Sequence, residues 1–225
     1  MDSPECCASG VDPRIARYFD RKMRDQLARG ELPALHGVSH RLLGELADGG
    51  EVGRSVLELG CGSGALSVAL LQRGAGRADG IDMSPASIEL ARRRATEAGV
   101  GESASFEVGD GASVELEAHD WVVLDRVICC YRGVDRLLAN SIGAARLRYA
   151  FSVPESRGLR GIINRAFAWL ENTTNLLRGR PCPGYVHHMA RIERALAQAG
   201  FQALRRQTVG LWHVAVFERP AASAG

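Results

Sequence analysis

Three glycines and four acids carry most of the chemistry that can be read from this sequence. Gly60, Gly62 and Gly64 recur at every second position after the short apolar run at residues 56–59, which holds one acid, Glu58. Glycines so spaced let the backbone turn at φ values that other residues resist, and let a ligand lie directly against it. Asp82 follows 22 residues beyond Gly60, Asp110 sits within Gly109-Asp110-Gly111, and Asp125 ends a second apolar run at residues 121–124. In a dinucleotide-type fold an acid at the place of Asp82 accepts hydrogen bonds from ribose hydroxyls. The glycine turn should open a helix, whose unpaired N–H groups favour an electronegative ligand group. The chemistry is that of a nucleotide-like cofactor, and the glycine turn alone suits NAD, FAD and nucleoside cofactors alike.

These residues need a scaffold that brings strand ends together. Residues 56–59 read as a buried parallel strand that breaks into a tight turn, followed by a helix at 65–71. Residues 78–82 form a second strand ending on Asp82, and Ser84-Pro85 caps a helix running to about Ala98 and closed by Gly99. Third, fourth and fifth strands are expected at 106–108, 121–124 and 148–153, with 201–208 and 211–217 as a closing pair. The alternation implies an α/β fold: a doubly wound, seven-stranded, mostly parallel sheet covered on both faces. Upstream, Asp12-Pro13 starts a helix whose Ile15, Phe19, Met23 and Leu27 recur at helical spacing until Gly30, and a second helix spans roughly 34–46. These two form an N-terminal helical cap, in which Tyr18 and Phe19 either cover the glycine turn or pack the helix on the sheet. The expected organisation is a flexible tail at 1–10 and a single domain at 11–225. That domain divides into a helical lid (11–50), a cofactor-binding half (51–150) and a substrate-side half (151–219).

The chain has 225 residues, 46% hydrophobic and 24% charged, which suits one well-buried globular domain. No stretch approaches the ~18 apolar residues of a membrane span. Residues 1–10 hold acids and no apolar signal core, so a cytoplasmic location is expected. Six cysteines, including the adjacent pairs Cys6-Cys7 and Cys129-Cys130, read as free thiols. Net charge is only +2, yet residues 146–206 hold eleven arginines against Glu155, Glu171 and Glu193, an excess that favours an anionic partner.

With acids at successive strand ends, the sequence resembles a class I S-adenosylmethionine-dependent methyltransferase. Val-Leu-Glu-Leu-Gly-Cys-Gly-Ser-Gly at 56–64 is similar to the first motif of that superfamily. Gly-Ile-Asp-Met-Ser-Pro at 80–85, followed by Ile-Glu-Leu-Ala-Arg at 88–92, is similar to its second. The resemblance covers roughly residues 18–217 and implies S-adenosylmethionine as cofactor. It implies Gly60, Gly62 and Gly64 against the methionine and sugar portions, Asp82 on the ribose hydroxyls, Met83 beside adenine and Asp110 facing the adenine amino group. Glu58 would hydrogen-bond within the glycine turn and Asp125 would lie near the methionine end. Tyr18, Cys61, Ser84, Gly109, Gly111 and Arg126 complete the implied cofactor set. Acids balance the sulfonium and ammonium of such a cofactor, which has no pyrophosphate to grip. Within the superfamily, residues 124–132 and 149–154 and Tyr18-Phe19-Asp20 are similar to the branch containing magnesium-protoporphyrin O-methyltransferase. That branch has His where this chain has Cys130.

The implied reaction transfers a methyl group to a small molecule, at oxygen of an anionic or aromatic metabolite. In-line displacement at a sulfonium-activated methyl needs alignment and exclusion of water. A carboxylate acceptor needs no base, whereas a phenol, amine or alcohol benefits from one. His187 and Tyr18 are the candidate catalytic residues, with His188 and His36 as further bases. A nucleic-acid methyltransferase is the first rival, but no Asn/Asp-Pro-Pro-Tyr/Phe motif or RNA-binding module is visible, so no nucleic-acid partner is expected. Others are a thiol-dependent metalloid methyltransferase using Cys6, Cys7, Cys129, Cys130 and Cys182, and a cofactor-binding protein without turnover. No metal site is expected: His36 and His40 have i, i+4 spacing but no third ligand. Leu159, Ile162, Ile163, Ala166, Phe167 and Leu170 form a helical stripe among Arg157, Arg160 and Arg165. It reads as a helix packed on the sheet with a solvated basic face, as a cap over an apolar anionic substrate, or as a surface for acidic lipids. Neither the acceptor nor the oligomeric state is encoded in these motifs.

Overall fold

The computed structural model describes residues 13–47, 50–177 and 184–220. The expected tail at 1–10, the capping residue Asp12, and Cys6, Cys7 and Cys182 lie outside them. The seven strands are β1 (Ser55–Leu59), β2 (Arg77–Asp82), β3 (Ala104–Val108), β4 (His119–Asp125), β5 (Ala145–Pro154), β6 (Gln202–Val209) and β7 (Trp212–Glu218). They form one sheet in the order β3-β2-β1-β4-β5-β7-β6. The first five pair in parallel, while β7 runs antiparallel to both β5 and β6. The order reverses between β1 and β4, and the crevice beyond the carboxyl ends of those strands is where an open α/β sheet binds ligands.

The helices are α1 (Pro13–Ala28), α2 (Gly37–Leu46), α3 (Ala65–Gln72), α4 (Pro85–Glu97), α5 (Val134–Ala144), α6 (Gly158–Leu177) and α7 (Met189–Gln198). Strand alternation divides the core into two layers. Leu57, Leu59, Val122, Leu124, Tyr149 and Phe151 face α5 and α7, while Val56, Trp121, Val123 and Ala150 face α2 and α3. Glu58 shares the parity of Val56 and so points towards α3.

Two expectations change with this arrangement. The lid at 11–50 is not one unit. α2 buries Val38, Leu42, Leu43 and Leu46 in the α2–α3 layer and belongs to the core, whereas α1 packs against α4. The second helix also begins later than residue 34, at Gly37, because the His36 side chain caps it by accepting from Val38 N at 3.2 Å. The α6 stripe does not pack on the sheet, the first of its three readings, but faces outward: Leu159, Ile162, Phe167, Trp169 and Leu170 are exposed, while Gly161 and Asn164 are buried.

Candidate functional site

The glycine turn joins β1 to α3 and is tied to the end of β2 by Gly60 N and Cys61 N, which donate to Ile81 O at 2.7 and 3.1 Å. Gly60, Gly62 and Gly64 all have positive φ. Two of them are also required by packing. A Cβ on Gly60 would lie 2.3 Å from Val127 Cγ2, and one on Gly64 would lie 2.9 Å from Ala91 Cβ. Gly62 has open space beside it and lines a cleft of ≈ 480 Å³, a size that holds a nucleoside-class ligand.

The acids surround that cleft with distinct tasks. Asp82 accepts from Gly62 N on one oxygen and from Ser84 N on the other, both at 2.9 Å, so backbone N–H groups aim its carboxylate. Burial raises its pKa, although these two N–H groups oppose the shift. Glu58 accepts from Ser67 N at 3.0 Å and Ser67 Oγ at 2.5 Å, in the first turn of α3. Its bonds therefore go one step beyond the glycine turn expected for it. Burial, with Asp125 and Asp82 nearby, pushes its pKa up to about 8, against the bonds from Ser67. A cation beside this carboxyl would oppose the shift and favour its ionised form. Asp125 accepts from Ser39 Oγ and Ser152 Oγ, each at 2.5 Å, and so ties α2 and β5 to the end of β4. Arg126 beside it is the one non-glycine residue with positive φ among the described residues, at 59°, and its N donates to Ser152 Oγ at 2.9 Å. Strained backbone of this kind persists where surrounding bonds hold it, often at ligand sites.

Asp110 is bonded on one oxygen only. Oδ1 accepts from Ala112 N at 3.0 Å and from the Tyr131 hydroxyl at 2.6 Å, while Oδ2 is buried without a partner. Gln26 Oε1, on a cleft-lining side chain of α1, is likewise buried and unpartnered. Buried acceptors are seldom left unmade. A ligand bringing N–H or O–H donors would satisfy both, which fits a purine nucleoside with ribose hydroxyls. The acid-rich wall discourages a pyrophosphate and suits a ligand carrying positive charge.

α1 is clamped over this cleft by charge-assisted bonds. Asp20 accepts from Ser84 Oγ and Ala86 N, each at 3.0 Å, so it serves the N-terminus of α4, and from Arg24 at 2.7 Å. Burial works against the Asp20 carboxylate, but these bonds and Arg24 hold its pKa below the usual value. Arg94 on α4 donates to Ser63 O at 2.8 Å and to Pro33 O, joining the glycine turn to the α1–α2 connection.

Of the expected cofactor residues, Glu58, Gly60, Cys61, Gly62, Asp82, Met83, Ser84, Gly109, Gly111, Asp125 and Arg126 all line the cleft. Gly64 lies behind the turn, and Asp110 stands at its edge through Tyr131, itself a lining residue. Tyr18 is 37% exposed on the outer side of α1, and its neighbour Phe19 lines the cleft instead. His187 is also outside the lining. Its Nε2 sits 2.8 Å from the Tyr131 carbonyl, which only an N–H can satisfy, and burial lowers its pKa despite bonds to backbone carbonyls. That nitrogen anchors residues 184–188 and is not available to accept a proton. Cys61 is buried with its thiol pKa pushed up by burial, while Cys129 and Cys130 line the cleft. Among the described residues no cluster of His, Cys, Asp or Glu has the makings of a metal site.

Sequence reasoning missed Ser39, Ser152, Tyr131, Lys22 and Gln26. The i, i+4 stripe Ile15, Phe19, Met23 carried a signal for Phe19 over Tyr18, since Tyr18 falls off that stripe.

Residues 56–143 match the family described as a methyltransferase domain. The ribosomal protein L11 methyltransferase of Photorhabdus laumondii is 34% identical over 110 residues, covering 49% of this chain and 33% of that protein. The ubiquinone biosynthesis O-methyltransferase of Alkalilimnicola ehrlichii is 36% identical over 88 residues, covering 38% of this chain and 35% of that protein. The chain thus spans between about a fifth and a third of the length of the curated relatives it matches. Magnesium protoporphyrin IX methyltransferase from Synechocystis PCC 6803, solved with bound SAH, superposes with a TM-score of 0.71 at 22% identity, covering 92% of this chain and 98% of that one. The motif-bearing residues 56–143 thus match a methyltransferase domain by sequence, and nearly the whole chain shares the fold of a solved methyltransferase.

Proposed function

We propose that the chain binds S-adenosylmethionine in the ≈ 480 Å³ cleft and transfers its methyl group to a small anionic or aromatic acceptor, at oxygen. The observation that carries this reading is the convergence of Glu58, Asp82 and Asp125 on the cleft beside Gly62. Three acids around bare backbone suit a nucleoside that bears cationic groups and no phosphate. Asp82 would take the ribose hydroxyls, Asp110 Oδ2 the adenine amino group, and Glu58 and Asp125 the methionine end. When bound, this cofactor supplies a methyl group already activated by its sulfonium.

The rest of the work is positioning. Phe19, Met23 and Ile15 on α1 and Val127 after β4 present an apolar wall, while Lys22 and Arg126 add positive charge to the same cleft. An acceptor with a flat or aliphatic body and a carboxylate fits such a lining. Among the described residues, none of the tyrosine or histidine candidates offers a free base to the cleft. The Tyr131 hydroxyl donates to Asp110 and burial raises its pKa, His187 is committed to a carbonyl, and His36 Nδ1 accepts from Val38 N. A carboxylate acceptor is ionised at neutral pH and requires none, so alignment and water exclusion by α1 suffice. A second reading draws on Cys129 and Cys130, which both face the cleft: a thiol-assisted transfer to a thiophilic metalloid.

The test is transfer of labelled methyl from S-adenosylmethionine to pooled acceptors. Product in a carboxylate- and phenol-containing metabolite pool supports the main reading. Product only with arsenite and thiols selects the second, product only with RNA or ribosomal protein contradicts both, and cofactor binding without product identifies a binding protein.

A further inference from the structure

α6 is amphipathic in the inverted sense. At 100° per residue, its apolar side chains Trp169, Ile162, Leu159, Leu177, Leu170 and Phe167 fall within one arc of about 160°, which only Thr173 and Thr174 interrupt with polar groups. They are exposed by 71, 59, 72, 81, 52 and 58%, so the apolar face lies in solvent. The opposite face meets the protein through small and polar groups. Asn164 Nδ2 donates to Glu155 O and Leu211 O at 2.9 and 2.8 Å, Asn172 bonds Gly184, and Gly161 abuts Ser156, where a Cβ would lie 2.3 Å from the backbone. A surface helix ordinarily buries its apolar face. Here the chain uses specific polar bonds to hold that face outward, over roughly 27 Å between Leu159 and Leu177 at 1.5 Å per residue.

The borders of the arc decide what it meets. Arg165 stands next to Trp169 on one side and Arg160 next to Phe167 on the other, both exposed. Glu171, the one acid of the helix, is exposed about 20° beyond Arg160, outside the arc, where it lines the cleft. Arg165 Nη1 reaches Ser156 O at 3.1 Å, which sets its height on the helix side. An apolar strip rimmed on both edges by arginine, with a tryptophan at the rim, matches a helix lying in the headgroup region of an anionic bilayer. A second copy of the same face would bring the two arginine rims together. The helix is also unsuited to crossing a bilayer, since no described helix is long and apolar enough.

We propose that α6 docks the protein on anionic membrane surfaces through this exposed face. Because Glu171 and Gly184 line the cleft, docking places the cleft beside the lipid, where an amphiphilic acceptor would be delivered. The inference goes beyond methyl transfer and does not depend on it.

Vesicle flotation of the full chain tests it without cofactor or turnover. Binding to phosphatidylglycerol vesicles is expected, at least tenfold weaker to phosphatidylcholine, with a blue shift of tryptophan emission that Trp169→Phe removes, since Trp121 is buried and Trp212 lines the cleft. Ile162→Glu and Arg160→Glu, each checked for native circular dichroism, should reduce binding at least tenfold and threefold. Absence of flotation with phosphatidylglycerol overturns the proposal, as does flotation that neither substitution changes. A concentration-dependent dimer that Ile162→Glu dissociates, without vesicle binding, overturns it in favour of a self-association face.

Discussion

Replacing Glu58 by Gln should stabilise the protein and weaken its hold on the cofactor, and the size of the first effect follows from the site. The Glu58 carboxyl is fully buried among Asp125 and Asp82, and its pKa stands at about 8 against an ordinary 4.5. A folded-state value raised above the unfolded one contributes stability that is complete below the unfolded pKa and is lost as pH rises through the folded pKa. At about 1.4 kcal/mol per pH unit of mismatch, the wild type forfeits about 3 kcal/mol between pH 4.5 and 7, and about 5 by pH 9. Gln keeps an acceptor for Ser67 N and Oγ and carries no titrating group. Glu58→Gln should therefore match the wild type near pH 4.5, exceed it by roughly 6–12 °C in Tm at pH 7, and exceed it further at pH 9. Calorimetric unfolding of both proteins at pH 5, 7 and 9 measures this directly. Parallel stability curves, with no widening gap, would refute the argument that a buried, acid-crowded carboxyl waits for a cationic ligand.

Gly60 and Gly62 should separate stability from binding. Gly60→Ala drives a Cβ into Val127 at φ +68 and should cost about 2–3 kcal/mol in urea unfolding. Gly62→Ala, with open space at φ +52, should cost only about 1 kcal/mol yet lower cofactor affinity at least tenfold, because its methyl enters the cleft. His119 offers a control away from the site. Burial opposes its charge, but Asp79 at 2.7 Å and the Glu117 carbonyl at 2.9 Å raise its pKa above 6.5. The pair's contribution should be complete below pH 6.5 and fade as pH rises through the folded value. His119→Gln should accordingly lose most stability at pH 5–6 and least above that range, and a uniform loss would contradict it.

The parts legible in the sequence share one property: their signal is local. The run at 56–59, the glycines at 60, 62 and 64, and the Ser84-Pro85 start of α4 each declare themselves within a few residues, and the structure places them as expected. The seven strands and the acids at their ends follow from the same alternation. What stayed hidden depends on distant pairing. Asp125 is held by Ser39 and Ser152, which lie 86 and 27 residues away, and no spacing rule links a serine on α2 to an acid on β4. α5 and α7 were overlooked because each offers only a short apolar stripe, Met189, Ile192 and Leu196 in α7, interrupted by charge. The α6 stripe was visible, but hydrophobic periodicity identifies a face and not the direction it looks. That was fixed by Asn164, Asn172 and Gly161 on the opposite side.

The central claim is that the acid-lined cleft beside Gly62 binds a sulfonium nucleoside through Asp82. Titration calorimetry with S-adenosylmethionine and S-adenosylhomocysteine tests it most directly. The account predicts saturable one-to-one binding of both, weakened about 10- to 100-fold by Asp82→Ala, in line with loss of charge-assisted bonds worth roughly 1.5–3 kcal/mol. No saturable heat with either ligand, or unchanged affinity in Asp82→Ala, would contradict it.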